Sequence, residues 1–245
     1  MGNIANQFRD DEGSRAFDAL ADVWAEYYVV DPFYQDRNDV LRRWLQKLHE
    51  RHQFESGKVG LDVGCGTSPA APIYKAAGVM YTGVDRSVEM LKNARRAGCN
   101  VVSSDVAQLP FATGAFDLAH MFNTIEFLPR PGEALRELVR VLKPGGHLLI
   151  TVCNFESLFS RLYRLKAKWA PSSNRGANEL PVVYGRYSAR SSTALLQGAG
   201  FTSIGVFCYG LEPQVARLRW NRYAAVTRNR WLGASVYLSC KTPTG

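Results

Sequence analysis

No apolar run in these 245 residues approaches the ~20 consecutive residues that a bilayer-spanning helix needs. The opening residues are polar and charged rather than signal-like, and Met1-Gly2-Asn3-Ile4-Ala5-Asn6 lacks the Ser or Thr at position 6 that a myristoylation start requires, so a cytoplasmic location is expected. Cysteines number five, all widely spaced and none in a C-x-x-C, which reads as reduced thiols and offers neither a disulfide framework nor a metal cluster. Internal repeats and low-complexity tracts are also missing. Acidic residues are scarce in one region only. Residues 154–245 hold 13 Lys and Arg against 3 Asp and Glu, whereas residues 1–153 hold 17 against 19. A segment so one-sided is either a solvated basic face or a surface for an anionic partner such as a phospholipid, a nucleic acid or a phosphorylated substrate.

What is present is one α/β pattern, with 46% of the residues apolar, enough for one core. Residues 14–53 read as a helical cap in two pieces, Ser14–Tyr28 and Asn38–Arg51, separated at Asp31-Pro32. Its aromatics, Trp24, Tyr27, Tyr28, Phe33 and Tyr34, either pack on a sheet or close over a substrate. From Lys58 strands and helices alternate. Val59–Val63, Met80–Asp85, Asn100–Ser103, Ala115–Met121 and His147–Cys153 read as strands; Pro69–Ala77, a helix capped by Ser87, and Glu133–Leu142 read as helices, the last closed by Lys143-Pro144-Gly145-Gly146. This alternation implies parallel strands with right-handed crossovers, a doubly wound sheet. Beyond residue 154 the pattern gives helices over Phe155–Trp169, Ser188–Ala199 and Glu212–Arg230, and strands over Phe201–Tyr209 and Trp231–Lys241. The domain organisation is thus a single unit: cap 1–57, core 58–153, and a basic lid region with the last strands over 154–245.

The chemistry centres on Val59-Gly60-Leu61-Asp62-Val63-Gly64-Cys65-Gly66-Thr67-Ser68, a buried strand running into a glycine turn and a helix start. Such a turn presents bare backbone N–H groups to a ligand. The third glycine of a dinucleotide fingerprint is missing, because position 69 is proline. Asp62 stands two residues before Gly64, where a positive charge on the ligand is welcome. Asp85 ends the second strand about twenty residues on, placed to accept both hydroxyls of a ribose. Asp105 follows the third strand and can accept from an exocyclic amine. A nucleoside with a cationic appendage and no phosphate satisfies all three, which describes S-adenosylmethionine.

Leu-Asp-Val-Gly-Cys-Gly-Thr, Gly-Val-Asp-Arg-Ser-Val-Glu-Met-Leu, Asp-Val-Ala-Gln-Leu-Pro-Phe, Phe-Asp-Leu-Ala and Arg-Val-Leu-Lys-Pro-Gly-Gly resemble, in order, the motifs of class I S-adenosylmethionine-dependent methyltransferases across residues 59–153. Within that class the chain is similar to small-molecule enzymes of the quinone-biosynthesis type. The resemblance implies a seven-stranded, mostly parallel Rossmann-like sheet with an antiparallel last strand. It also implies a cofactor site of Asp62, Gly64, Cys65, Gly66, Asp85, Arg86, Met90, Asp105, Val106 and Asn123. The acceptor is then a small, partly hydrophobic metabolite, methylated at O, N or C mainly by in-line positioning. Candidates lining the acceptor site are Tyr27, Tyr28 and Glu126. Where many relatives carry Glu-His, this chain has Glu126-Phe127, so the usual histidine base is missing. His120, His147 and Cys153 read as ordinary core residues.

The Phe155–Trp169 helix has an apolar stripe edged with Arg and Lys. It fits either a lid on the substrate pocket or peripheral contact with an anionic membrane. Arg217–Arg230, interleaved with Trp220, Tyr223 and Trp231, leaves RNA methylation as an alternative, although no RNA-binding module or Asn/Asp-Pro-Pro-aromatic tetrapeptide is visible. A non-catalytic cofactor-binding subunit is a further alternative.

Overall fold

The computed structural model describes residues 15–30, 32–51, 57–157, 183–209 and 235–244. The cap contributes helices α1 (Ala21–Val30) and α2 (Pro32–Glu50), preceded by a helical stretch at 15–19. Then follow β1 (Val59–Val63), α3 (Ala71–Ala76), β2 (Met80–Asp85), α4 (Val88–Arg96), β3 (Val101–Ser103), β4 (Phe116–Phe122), a 3₁₀ turn (Ile125–Phe127), α5 (Pro131–Val141), β5 (Leu142–Cys153), α6 (Ala189–Ala199), β6 (Thr202–Tyr209) and β7 (Ser235–Lys241).

These strands form one seven-stranded sheet in the order β3-β2-β1-β4-β5-β7-β6. From β3 to β5 all pairings are parallel, and β7 runs antiparallel to both β5 and β6. This is the doubly wound, Rossmann-like architecture that the alternating pattern implied. Strand alternation divides the core in two. Leu61, Val63, Met121, Leu148 and Ile150 pack against Leu135 and Leu138 of α5 and Leu196 of α6. On the opposite face Leu118, Leu149 and Tyr237 meet Val40, Leu41, Trp44, Leu45 and Leu48 of α2. Leu41 is fully buried, and each such aliphatic side chain contributes roughly 1.5–3 kcal/mol of transfer free energy.

Three of the boundaries that depart from the sequence pattern have a clear local reason. The second cap helix starts at Pro32, not Asn38: proline interrupts the helix before it but suits the first turn of the next, where no amide is needed. Helix α3 begins at Ala71 rather than Pro69, because Ser68 takes a left-handed backbone (φ 64°) and prolongs the turn. Lys143-Pro144-Gly145-Gly146 lies within β5 instead of closing the helix as a turn. The register with β4 jumps from Phe116↔Leu142 to Leu118↔His147, so these residues bulge out of the ladder, with Gly145 at φ 72°.

Two expected helices, Phe155–Trp169 beyond its first residues and Glu212–Arg230, lie outside the described residues. With them lie the grounds for the lid, membrane and RNA readings. Phe155 to Ser157 form a turn, and among the described residues no helix is long and apolar enough to cross a membrane.

Candidate functional site

The carboxyl ends of β1 to β5 open into a cleft of about 340 Å³, roofed by the helical cap. Its wall takes Gly64 and Gly66 after β1, Asp85 and Arg86 at the end of β2, and Ser104, Asp105 and Val106 after β3. Asn123, Thr124 and Glu126 follow β4, Cys153 ends β5 and Phe155 lies just beyond it. Phe17, Trp24, Tyr28, Tyr34 and Arg37 enter from the cap, and Val183 and Tyr184 from the segment before α6.

The glycine turn does not offer bare amides. Gly64 and Cys65 both donate to the Val84 carbonyl, at 2.8 and 3.0 Å, and Gly66 N–H donates to Asp85 Oδ2 at 2.8 Å. An anion would find these three donors already used, and α3 behind them is only six residues long. The glycines serve shape instead. Gly64 (φ 71°) and Gly66 (φ 54°) hold left-handed backbone. A Cβ at Gly64 would lie 2.2 Å from Thr124 Oγ1, and one at Gly66 would lie 3.0 Å from Tyr28 Oη and 3.3 Å from Met90 Sδ.

Asp85 is held from two sides: besides Gly66, Ser87 N–H donates to its Oδ1 at 2.9 Å. Burial raises its pKa, and the two amides oppose that rise. Asp105 Oδ1 accepts from Ala107 N–H at 2.9 Å, and its Oδ2 lies 3.9 Å from Arg86 Nη1. Met90 and Val106 are buried in the wall between these carboxylates and the core. Ser87 caps α4 as expected, accepting from Met90 N–H at 3.2 Å.

Asp62 and Cys65 do not reach the cleft. Asp62 is 3% exposed beneath the turn, accepting from Tyr81 Oη at 2.8 Å, with His120 Nε2 3.1 Å away. His120 Nδ1 in turn sits 2.7 Å from Tyr74 Oη. Burial lifts Asp62 to about 7 and depresses His120 to about 3, so the imidazole is neutral. His120 is therefore a partnered core residue; His147 is also buried, held down to about 4 by burial and Lys241. Cys65 is a buried thiol whose pKa burial raises.

At the β4–β5 end the site holds groups of another kind. Arg37 is 7% exposed; its Nη1 donates to Asn123 Oδ1 at 2.8 Å, and its guanidinium lies 4.2 Å from the centre of the Tyr34 ring. Asn123 adopts φ 47°, and its Nδ2 is 3.2 Å from Cys153 Sγ. Glu126 Oε1 accepts from Cys153 N–H at 2.7 Å, and burial raises its pKa. Tyr28 is pushed up to about 12 by burial, which makes its hydroxyl a donor and not a base. The side chain of Tyr27 lies outside the described residues.

Two further residues differ from the sequence reading. Arg37 has no role in the sequence pattern, whose second cap helix begins at Asn38. With the helix starting at Pro32, Tyr34 and Arg37 are three apart on it and share a face. Cys153 lies on the cleft wall rather than in the core, and burial raises it to about 12, which makes it a poor nucleophile. Phe127, in place of the usual histidine, meets Phe17 of the cap edge-on at 5.2 Å. Trp24, Tyr28 and Tyr34 line the cleft, while the apolar stripe of α2 packs on the sheet.

Comparison with known proteins bears on this cleft. The family model described as a methyltransferase domain matches residues 61–150. A demethylmenaquinone methyltransferase of Paenarthrobacter aurescens is 34% identical over 61% of this chain and 58% of its own length. A second demethylmenaquinone methyltransferase, from Renibacterium salmoninarum, is 31% identical over 69% of this chain and 77% of its own length. The chain thus spans somewhat over half of the first relative and three quarters of the second. Among solved structures, a SAM-dependent methyltransferase of Thermotoga maritima, a possible histamine N-methyltransferase, superposes with a TM-score of 0.71 at 22% identity, covering 94% of this chain and 99% of that one. At that identity the likeness is one of fold.

Proposed function

The chain belongs to the class I S-adenosylmethionine-dependent methyltransferases, and we propose that it methylates a small, partly hydrophobic acceptor in the cleft beneath the helical cap. The observation that carries this reading is the use of the glycine-turn amides by Val84 and Asp85. A phosphate-bearing ligand finds no donors there, whereas a sulfonium nucleoside asks for none and gains from the nearby carboxylate.

In this reading Asp85 accepts from the ribose hydroxyls with the lone pairs that Gly66 and Ser87 leave unused. Asp105 and Val106 read the adenine amine, and Arg86 and Met90 flank the base. Gly64 and Gly66 keep room for the methionine portion, whose carboxylate meets Arg37, itself fixed by Asn123 and Tyr34. Bound S-adenosylmethionine supplies an electrophilic methyl group. The chain then has to orient the acceptor, exclude water with Trp24, Tyr28, Tyr34 and Phe17, and handle any proton released. The named relatives act on a quinone precursor and, in one solved structure, a possible histamine acceptor; both are small molecules with an apolar or aromatic part, as the aromatic roof would prefer.

The test is incubation with methyl-labelled S-adenosylmethionine and fractionated metabolites of the host. Label in a low-molecular-weight organic product is the expected result. Label in RNA would transfer the reading to the basic C-terminal residues, and tight cofactor binding with no labelled product would indicate a non-catalytic subunit.

A further inference from the structure

A carboxylate oxygen of the cleft wall is left unmatched. Glu126 is 3% exposed, its Oε1 accepts the Cys153 amide at 2.7 Å, and its Oε2 has no hydrogen-bond partner among the described residues. The side chain cannot easily swing to find one. The Glu126 carbonyl accepts from Tyr184 and Gly185 N–H at 2.8 and 3.1 Å, so the turn is tied to the segment before α6 while its carboxyl is tied to β5. A buried carboxylate oxygen on a cleft-lining residue that lacks a hydrogen-bond partner destabilises the free protein and is matched when a ligand supplies one.

Sheet order says which ligand. Asp105, Asp85 and the glycine turn stand over β3, β2 and β1, whereas Glu126 bridges from β4 to β5 on the other side of the turn. Resting on the cofactor reading above, the first three strands are taken by the nucleoside, and Glu126 lines the cleft on the side left for the acceptor. We propose that the methyl acceptor is an amine or a hydroxyl compound whose N–H or O–H donates to Glu126 Oε2. The same oxygen takes the proton released on transfer. The heteroatom lone pair bonds to the methyl carbon, the carbon–sulfur bond breaks with its electron pair going to sulfur, and the heteroatom's proton passes to Oε2 and then to solvent. Glu126 thereby fills the place left by the missing histidine with a carboxylate one residue earlier.

The test uses protein saturated with S-adenosylhomocysteine and three probes of one size, phenol, benzylamine and anisole, followed by ligand-observed NMR. Phenol and benzylamine are expected to bind on the order of tenfold more tightly than anisole, the worth of one hydrogen bond to a charged acceptor. In Glu126→Gln the Cys153 amide keeps the side-chain oxygen, so an NH₂ donor stands where Oε2 was. The preference for benzylamine should then vanish while S-adenosylhomocysteine affinity is unchanged. Equal binding of anisole and phenol by the wild type overturns the proposal without reference to any variant, as does survival of the benzylamine preference in Glu126→Gln. An affinity for S-adenosylhomocysteine that drops tenfold or so in the variant assigns Oε2 to the cofactor's ammonium group, which also overturns it. Failure of the wild type to bind S-adenosylhomocysteine at all is the distinct failure of the cofactor reading.

Discussion

Gly66 N–H donates to Asp85 Oδ2 at 2.8 Å, joining the turn after β1 to the end of β2. One hydrogen bond thus removes a donor from the floor of the cleft and orients the carboxylate that remains there. The turn keeps the glycine pattern of a phosphate loop without its chemistry. In the function proposed above, much of the ligand preference follows from this pair.

Asp85→Asn separates the two roles of that carboxylate. An amide can still accept from either Gly66 or Ser87 but not from both, and it meets two ribose hydroxyls with half the acceptor capacity. Calorimetric titration with S-adenosylhomocysteine should show an affinity loss on the order of 10–100-fold, from one or two hydrogen bonds to a charged group. Unchanged affinity would remove Asp85 from the ribose site.

Gly66→Ala and Gly98→Ala place the same methyl group on left-handed backbone in two settings. Both should lose stability by about 1–2 kcal/mol, the cost of a Cβ in that region. At Gly98 (φ 77°) nothing lies within 4 Å of the added carbon, whereas at Gly66 it meets Tyr28 Oη at 3.0 Å and Met90 Sδ at 3.3 Å. Cofactor affinity should therefore fall for Gly66→Ala alone, as thermal melts and titrations of the two variants would show.

Arg37 is buried, stacked on Tyr34 and bonded to Asn123. Lysine keeps the charge and loses the planar fork. Arg37→Lys should bind S-adenosylhomocysteine roughly tenfold more weakly, and Arg37→Met more weakly still, if this cation meets the methionine carboxylate. Equal affinity across the three proteins would free Arg37 from that role.

These predictions draw unequally on the sequence. Strands β1 and β2 and the cap of α4 were legible because apolar runs, glycines and Ser87 each have one local meaning. Asp85, Asp105 and Asn123 followed, since they stand at strand ends. Asp62 has the same kind of position, yet it points to Tyr81 and His120 rather than the cleft, and only packing decides that. Arg37 was hidden by a boundary: the site gained it when the helix began six residues earlier than its periodicity suggested. The orphaned oxygen of Glu126 depends on Cys153, 27 residues away, a partner that no local pattern reveals.

Asp62 also gives a dependence on pH. Its folded-state pKa of about 7 stands above the ordinary carboxylate value of ~3.9. Between those values the folded protein holds a proton that the unfolded chain has released. Stability from this group is therefore present below pH ~4 and lost as pH rises toward 7. Asp117 and Glu137, lowered by Lys143 and Arg140, contribute with the opposite sign, so the comparison must be differential. Between pH 4 and 7 the wild type should lose stability relative to Asp62→Asn, read as the gap between their melting temperatures. A gap that stays constant or moves the other way would contradict this.

The most direct test of the whole account is ligand discrimination by the wild-type protein. S-adenosylhomocysteine and NAD share an adenosine and differ in the pyrophosphate for which the Gly64, Cys65 and Gly66 amides have no free donor. Titrated separately in one calorimetric experiment, S-adenosylhomocysteine should bind and NAD at the same concentration should give no heat of binding. Binding of NAD as tightly as S-adenosylhomocysteine would contradict the account.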